Sequence, residues 1–223
     1  MAAHLDLEEQ EQLEQVKAFW KRWGNLITWV VTAVLAAFAG WQYWNYHLRT
    51  QAAEAGARYD EMQAAVIAQD LDKATAVAGD LRAKFASTGY AAQASLLVAK
   101  LQADKGKVDE AKDSLGWVAA NGSEPPYKDL ARLRLAGLLI DGKAYDQASQ
   151  TLDGIQSTDF AALVADRRGD LLLLQDKRDA AKAEYQKALA GLPKDQPYRS
   201  IVEAKLATLG VATVVEATPG AAQ

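Results

Sequence analysis

Asp166 and Asp170 stand one helical turn apart with Arg167 and Arg168 between them. Two carboxylates so spaced are raw material for general acid–base catalysis. The same four residues equally suit a charged helix face that meets water, and no neighbouring motif selects the reactive reading. The sequence holds no cysteine, which excludes thiolate chemistry and disulfides. Its two histidines, His4 and His47, lie on either side of an apolar stretch and form no metal-ligand spacing. No GxSxG elbow, phosphate-cradling loop or GxGxxG turn occurs. The expectation is a non-enzyme without cofactor, metal or small-molecule substrate.

Charge narrows the partners. The 223 residues carry 25 basic and 29 acidic side chains, a net −4. Residues 1–47 set Lys17, Lys21 and Arg22 against Asp6, Glu8, Glu9, Glu11 and Glu14, which leaves −2 there and −2 beyond. Neither part has the basic excess that draws a protein onto nucleic acid or anionic lipid.

Residues 24–46 read GNLITWVVTAVLAAFAGWQYWNY and contain no charge. As a helix they rise about 34 Å, enough to cross a hydrocarbon core of about 30 Å with some tilt. Ala37-Phe38-Ala39 fits the small-x-small pattern of a signal-peptidase site, but the long leader, acidic at its start, is unlike that of a secretion signal. The aromatic residues point to a retained anchor. Trp20 and Trp23 stand at one end of the apolar run; Trp41, Tyr43, Trp44 and Tyr46 stand at the other. Such rings prefer headgroup depth, so these six mark two membrane interfaces. Lys17, Lys21 and Arg22 before the span outweigh Arg49 and Arg58 after it, which places the N-terminus in the cytoplasm. The remainder then lies across the membrane, in a bacterium the periplasm. Ala33, Ala36, Ala37 and Gly40 share one helix face, suited to close helix packing or simply to lipid. Leu13, Val16, Trp20 and Trp23 form an apolar stripe that fits a membrane surface, a partner helix or a solvated lead-in.

Beyond Arg49 the composition favours helix, and breakers recur at Ser87-Thr88-Gly89, Asn121-Gly122-Ser123 with Pro125-Pro126, Asp141-Gly142 and Pro193. Residues 50–209 therefore read as helices of about 12–18 residues joined by short turns. The motif D-x-A recurs with its alanine at 74, 111, 148 and 181. Leu115, Leu152 and Tyr185 follow the last three alanines by four residues; Ala99, Ala136 and Gly169 precede them by twelve. One small residue on each helix lets two backbones approach, and the large one fills the space between units, so the pairs must stack. This spacing resembles the tetratricopeptide repeat, well over 91–193 and less well over 56–89, where Met62 takes a small position. Ser123 and Phe160 stand where that pattern puts a helix-ending proline. Residues 196–209 suit a closing helix, and 210–223 a disordered tail.

The overall expectation is an all-α protein: a cytoplasmic amphipathic segment 1–23, one transmembrane helix 24–46, and a periplasmic tetratricopeptide-like α-solenoid 47–209. Projected from the repeat, the inner face carries Leu96, Lys100, Leu130, Leu133, Ile140, Leu163, Asp166 and Asp170. Five of these eight are apolar, which suits a peptide or partner helix. A terminal helix folded back over them is the alternative.

The order of parts resembles the YfgM family, the ancillary subunits of the bacterial Sec translocon. The resemblance rests on Glu9, Glu11, Lys17, Trp20, Gly24, Gly40, Trp41, Trp44 and Tyr59, and on the segment ARYDEM after the span. It implies an inner-membrane protein whose periplasmic domain associates with the SecYEG channel and a membrane-anchored periplasmic chaperone and helps newly exported proteins. It carries over no catalytic residue. A tethered scaffold for envelope assembly or division stays open, as does a regulator holding a cytoplasmic factor through residues 1–22.

Two measurements check the topology. Protease added to spheroplasts should degrade the domain after residue 47, and Edman sequencing should find the leader intact. A mature N-terminus at Gly40 would refute a retained anchor.

Overall fold

The computed structural model describes residues 7–211, with side chains from Gln12 onward. The segment 212–223, and with it nearly all of the expected tail, lies outside the described residues. Among the described residues every regular element is a helix. α1 runs Leu7–Ile67; α2 is Leu71–Lys84, α3 Gly89–Asp104, α4 Val108–Asn121 and α5 Pro125–Asp141. α6 is Tyr145–Asp153, α7 Ala161–Leu174, α8 Arg178–Gly191 and α9 Tyr198–Thr208, with a 3-10 turn at Thr158–Phe160. The chain divides into two compact units between Ala53 and Glu54.

The first unit holds the helix that is long and apolar enough to cross a membrane. The helix does not stop at Tyr46; α1 is continuous for 61 residues. No proline or glycine breaks it after Tyr46 until Gly56, and residues such as Gln51, Ala52, Ala53 and Glu54 favour helix. Thr28 and Thr32 donate their hydroxyl protons to carbonyls four residues back, at 2.8 Å each. Each bond satisfies a hydroxyl that would otherwise stand unpaired on the apolar stretch.

The second unit is a stack of hairpins. The last turns of α1 share a core cluster with α2 through Met62, Ala65, Ala74 and Ala78; α3 then pairs with α4, α5 with α6 and α7 with α8, and α9 closes on α8. The D-x-A motif explains the pairing. Asp72, Asp109, Asp146 and Asp179 each lie in the first turn of a hairpin's second helix, where a carboxylate meets the positive end of the helix dipole. The alanines two residues on, 74, 111, 148 and 181, are wholly buried. Five residues before each alanine sits a left-handed residue: Gln69, Gly106, Lys143 and Asp176, with φ between 57° and 76°. The same two bonds recur around it, as in Gly106 N–H to the Ala103 carbonyl at 2.9 Å and Lys107 N–H to the Gln102 carbonyl at 2.8 Å. They satisfy carbonyls left open by the ending helix.

The first hairpin, least regular in sequence, keeps this frame by exchanging sizes. Met62 fills the small position and Ala78 the large one; both are wholly buried in one core cluster. The fourth hairpin goes further. A Cβ on Gly169 would lie 2.5 Å from Tyr185, so the largest filler demands the smallest partner.

The third hairpin departs from the expected lengths. α6 has nine residues and ends at Asp153, seven before Phe160. Gly154 follows as its cap, and Ser157 then accepts from the Asp159 N–H to start the 3-10 turn. Buried Asp129 holds the intervening loop: it accepts from the Ser157 N–H at 3.2 Å and from Arg132 at 2.8 Å.

Gly169→Ala should cost about 1–3 kcal/mol by overpacking, less the roughly 1 kcal/mol that alanine gains over glycine within a helix. In the double variant with Tyr185→Leu, the fall in melting temperature should be smaller than the sum of the single effects. Additive losses would contradict the paired packing.

Candidate protein-binding face

The first helices of the hairpins, α3, α5 and α7, pack side by side in the order of the repeat. Equivalent positions therefore form rows: Leu96, Leu133, Asp166; Leu97, Arg134, Arg167; Lys100, Gly137, Asp170. These rows contain five of the eight expected inner-face residues, and the eight lie at different depths. Leu96, Leu133 and Ile140 are buried, each in its own core cluster. Lys100 is exposed and pairs with Asp104 at 2.7 Å. Leu130 and Leu163 are half-buried. The accessible apolar surface of this face is thus smaller than the sequence projection implies.

Asp166 and Asp170 occupy the end of the face that α9 covers. Asp166 is 1% exposed, and Lys205 of α9 donates to both its oxygens at 2.8 and 2.9 Å. Tyr198 adds a bond at 2.7 Å. Asp170 accepts from Lys205 and from Tyr185, each at 2.7 Å, and from Arg167 at 3.0 Å. The Lys205 ammonium also lies 5.3 Å from the Tyr185 ring centre. Both carboxylates spend their acceptor capacity on fixed donors, so the pair is a structural clasp rather than an acid–base couple. Burial, and then the carboxylate each one faces, pushes the Tyr185 and Tyr198 hydroxyls above their ordinary range.

Between these regions the face opens into hollows. One of about 330 Å³ lies over Ala99, Leu115, Leu133 and Leu138, and one of about 390 Å³ over Leu130, Leu133 and Leu163. Arg134 and Arg167 border both. Arg167 belongs to the charged face read from sequence, whereas Arg134 has no such signal; each stands two residues before a small position of the repeat, Gly169 or Ala136. Lys205 and Tyr198 lie beyond the repeat, where the period carries no information. Among the described residues no group of His, Asp or Glu is placed to hold a metal ion.

In the first unit the expected membrane-interface residues Trp20, Trp23, Trp41, Tyr43, Trp44 and Tyr46 are all exposed. Trp20 lies across Gly24, where an added Cβ would come within 3.1 Å of the indole. Phe38 and Trp41 stack obliquely with ring centres 6.0 Å apart. Gly40 faces open space.

Comparison with known proteins adds to this geometry. A family model described as a tetratricopeptide repeat-like domain matches residues 17–211, a stretch that includes the apolar span. A protein of Neisseria gonorrhoeae described as an ancillary SecYEG translocon subunit is 31% identical over 218 residues, covering 94% of this chain and all of the relative. Proteins of the same description from Escherichia coli and Haemophilus influenzae are 33% and 26% identical over 190 and 182 residues. They cover 84% and 82% of this chain, and 88% and 89% of their own lengths are matched.

Lys205→Met would leave two packed carboxylates without their shared cation. A quarter of the lysine side chain is exposed, so the loss should be about 2–4 kcal/mol, somewhat below the 3–5 of a fully buried pair. For the tyrosines the sign is as follows. Their folded-state pKa is raised, so above about pH 10 the unfolded chain loses protons that the folded one keeps. Stability is therefore full below pH 10 and falls as pH rises past it. Thermal melts of Tyr185→Phe or Tyr198→Phe should show a shallower alkaline decline than the parent; an unchanged slope would contradict the clasp.

Proposed function

The chain belongs to the family of tetratricopeptide repeat-like ancillary SecYEG translocon subunits, and from that premise we propose that it is a single-span inner-membrane adaptor of the Sec translocon. Residues 12–22 face the cytoplasm, residues 24–46 cross the bilayer, and the hairpin stack lies in the periplasm. There it binds a membrane-anchored periplasmic chaperone and newly exported chains, without chemistry of its own. The observation that carries this reading is the extent of the likeness: a relative named for the translocon matches 94% of the chain, too much to leave out either the span or the stack.

The architecture suits that role physically. A span confines the stack near the exit of the channel and raises its effective concentration for emerging polypeptide. Shallow hollows then suffice, because each contact need not be strong. Burying one leucine side chain of a partner stabilises by roughly 1.5–3 kcal/mol, a few of which make a reversible complex.

Photo-crosslinkers placed in living cells at Leu35 and at Leu163 test the proposal. Leu35 should yield adducts with a SecYEG subunit, and Leu163 adducts with a periplasmic chaperone or exported chains. No SecYEG adduct from any position in the span would overturn the reading. Adducts confined to residues 12–22 would favour a regulator of a cytoplasmic factor instead.

A further inference from the structure

The hollow of about 390 Å³ differs from its neighbours in charge. Leu130, Leu133 and Leu163 line it, Arg134 and Arg167 border it, and Tyr198 closes one end. No carboxylate lines it. The neighbouring hollows each include Asp141, and one also includes Asp170. Of the two arginines, Arg167 is already held by Asp170 at 3.0 Å. Arg134 pairs with no carboxylate among the described residues. The bond it makes, from Nη1 to the Leu96 carbonyl, is long at 3.4 Å. Burial lowers its pKa. Arg134 is nevertheless exposed and has no counterion among the described residues, so an incoming carboxylate can reach the guanidinium and gain a charge-assisted hydrogen bond.

We propose that this hollow docks a partner polypeptide through an apolar side chain seated on Leu130, Leu133 and Leu163 and an adjacent carboxylate paired with Arg134. The guanidinium offers two parallel donors to a carboxylate, which adds geometric selection to the charge attraction. That the occupant is a polypeptide rests on the adaptor reading; the preference for a carboxylate beside an apolar group comes from the hollow alone. Acidic–apolar segments of a chaperone or client are thus selected over basic ones of equal hydrophobicity.

The full-length chain in detergent micelles, titrated against a fluorescein-labelled peptide Gly-Ala-Leu-Asp-Leu-Ala-Gly and its Asn and Lys counterparts, tests this by anisotropy. The Asp peptide should bind about tenfold more tightly than the Asn peptide, as expected for one charge-assisted pair. The Lys peptide should bind weakest. Arg134→Gln should abolish the Asp preference while helicity and melting temperature stay unchanged. Leu163→Ser should weaken the Asp and Asn peptides by the same factor. Equal binding of Asp and Asn peptides, no binding of any peptide, or a preference that survives Arg134→Gln would each overturn the proposal. Failure of the adaptor reading registers separately, as absent SecYEG adducts in cells, and leaves the peptide preference intact.

Discussion

Two helices of a hairpin approach closely only if one of the facing side chains is small, and every other feature of the second unit follows from meeting that condition four times. Ala99 faces the register of Leu115, Ala136 that of Leu152, Gly169 that of Tyr185, and at the first hairpin the sizes exchange as Met62 and Ala78. The sum of the two volumes is what the geometry holds constant; which helix carries the bulk is free. Close approach also fixes the turn. A left-handed residue at 69, 106, 143 and 176 reverses the chain in the few residues available. Only one of the four is glycine, so three turns carry the strain of a side chain in that region of backbone space. The packing of the following helix must outweigh it.

Much of this was legible because it is periodic. The D-x-A motif couples two separate requirements, a first-turn carboxylate and a buried alanine, so each occurrence is informative twice. The closing helix and the long apolar run were equally plain. What escaped the period was whatever occurs once. Lys205 and Tyr198 sit outside the repeat, so the register left open whether a terminal helix would fold back over the inner face; α9 does so at Asp166 and Asp170. Leu96, Leu133 and Ile140, expected on an open inner face, are buried. Register fixes direction, whereas burial also depends on how closely the next hairpin approaches. The early end of α6 had a local signal in Gly154, and the expectation of equal repeats outweighed it.

The two arginines of the inner face illustrate how equal sequence positions acquire different roles. Arg134 and Arg167 are equivalent in the repeat. Arg167 has Asp170 on its own helix, three residues on; the same offset from Arg134 is Gly137. One substitution of a carboxylate by hydrogen separates a paired cation from one open to a partner. Surface recognition in a repeat protein thus arises where the period is broken, and stability where it is kept.

The clasp at the C-terminal end has a temporal side. Hairpins that touch only their neighbours can form as the chain emerges, each on the one before. Asp166 and Asp170, however, precede Lys205 by 39 and 35 residues. Until α9 arrives, the fourth hairpin holds two carboxylates that no ammonium balances, and its last surface stays wet and open. Arrival of one lysine changes that surface from hydrated acid to sealed interior. The end of the stack is therefore sealed last: a chain interrupted before residue 205 leaves Asp166 and Asp170 without the ammonium that the complete fold sets between them.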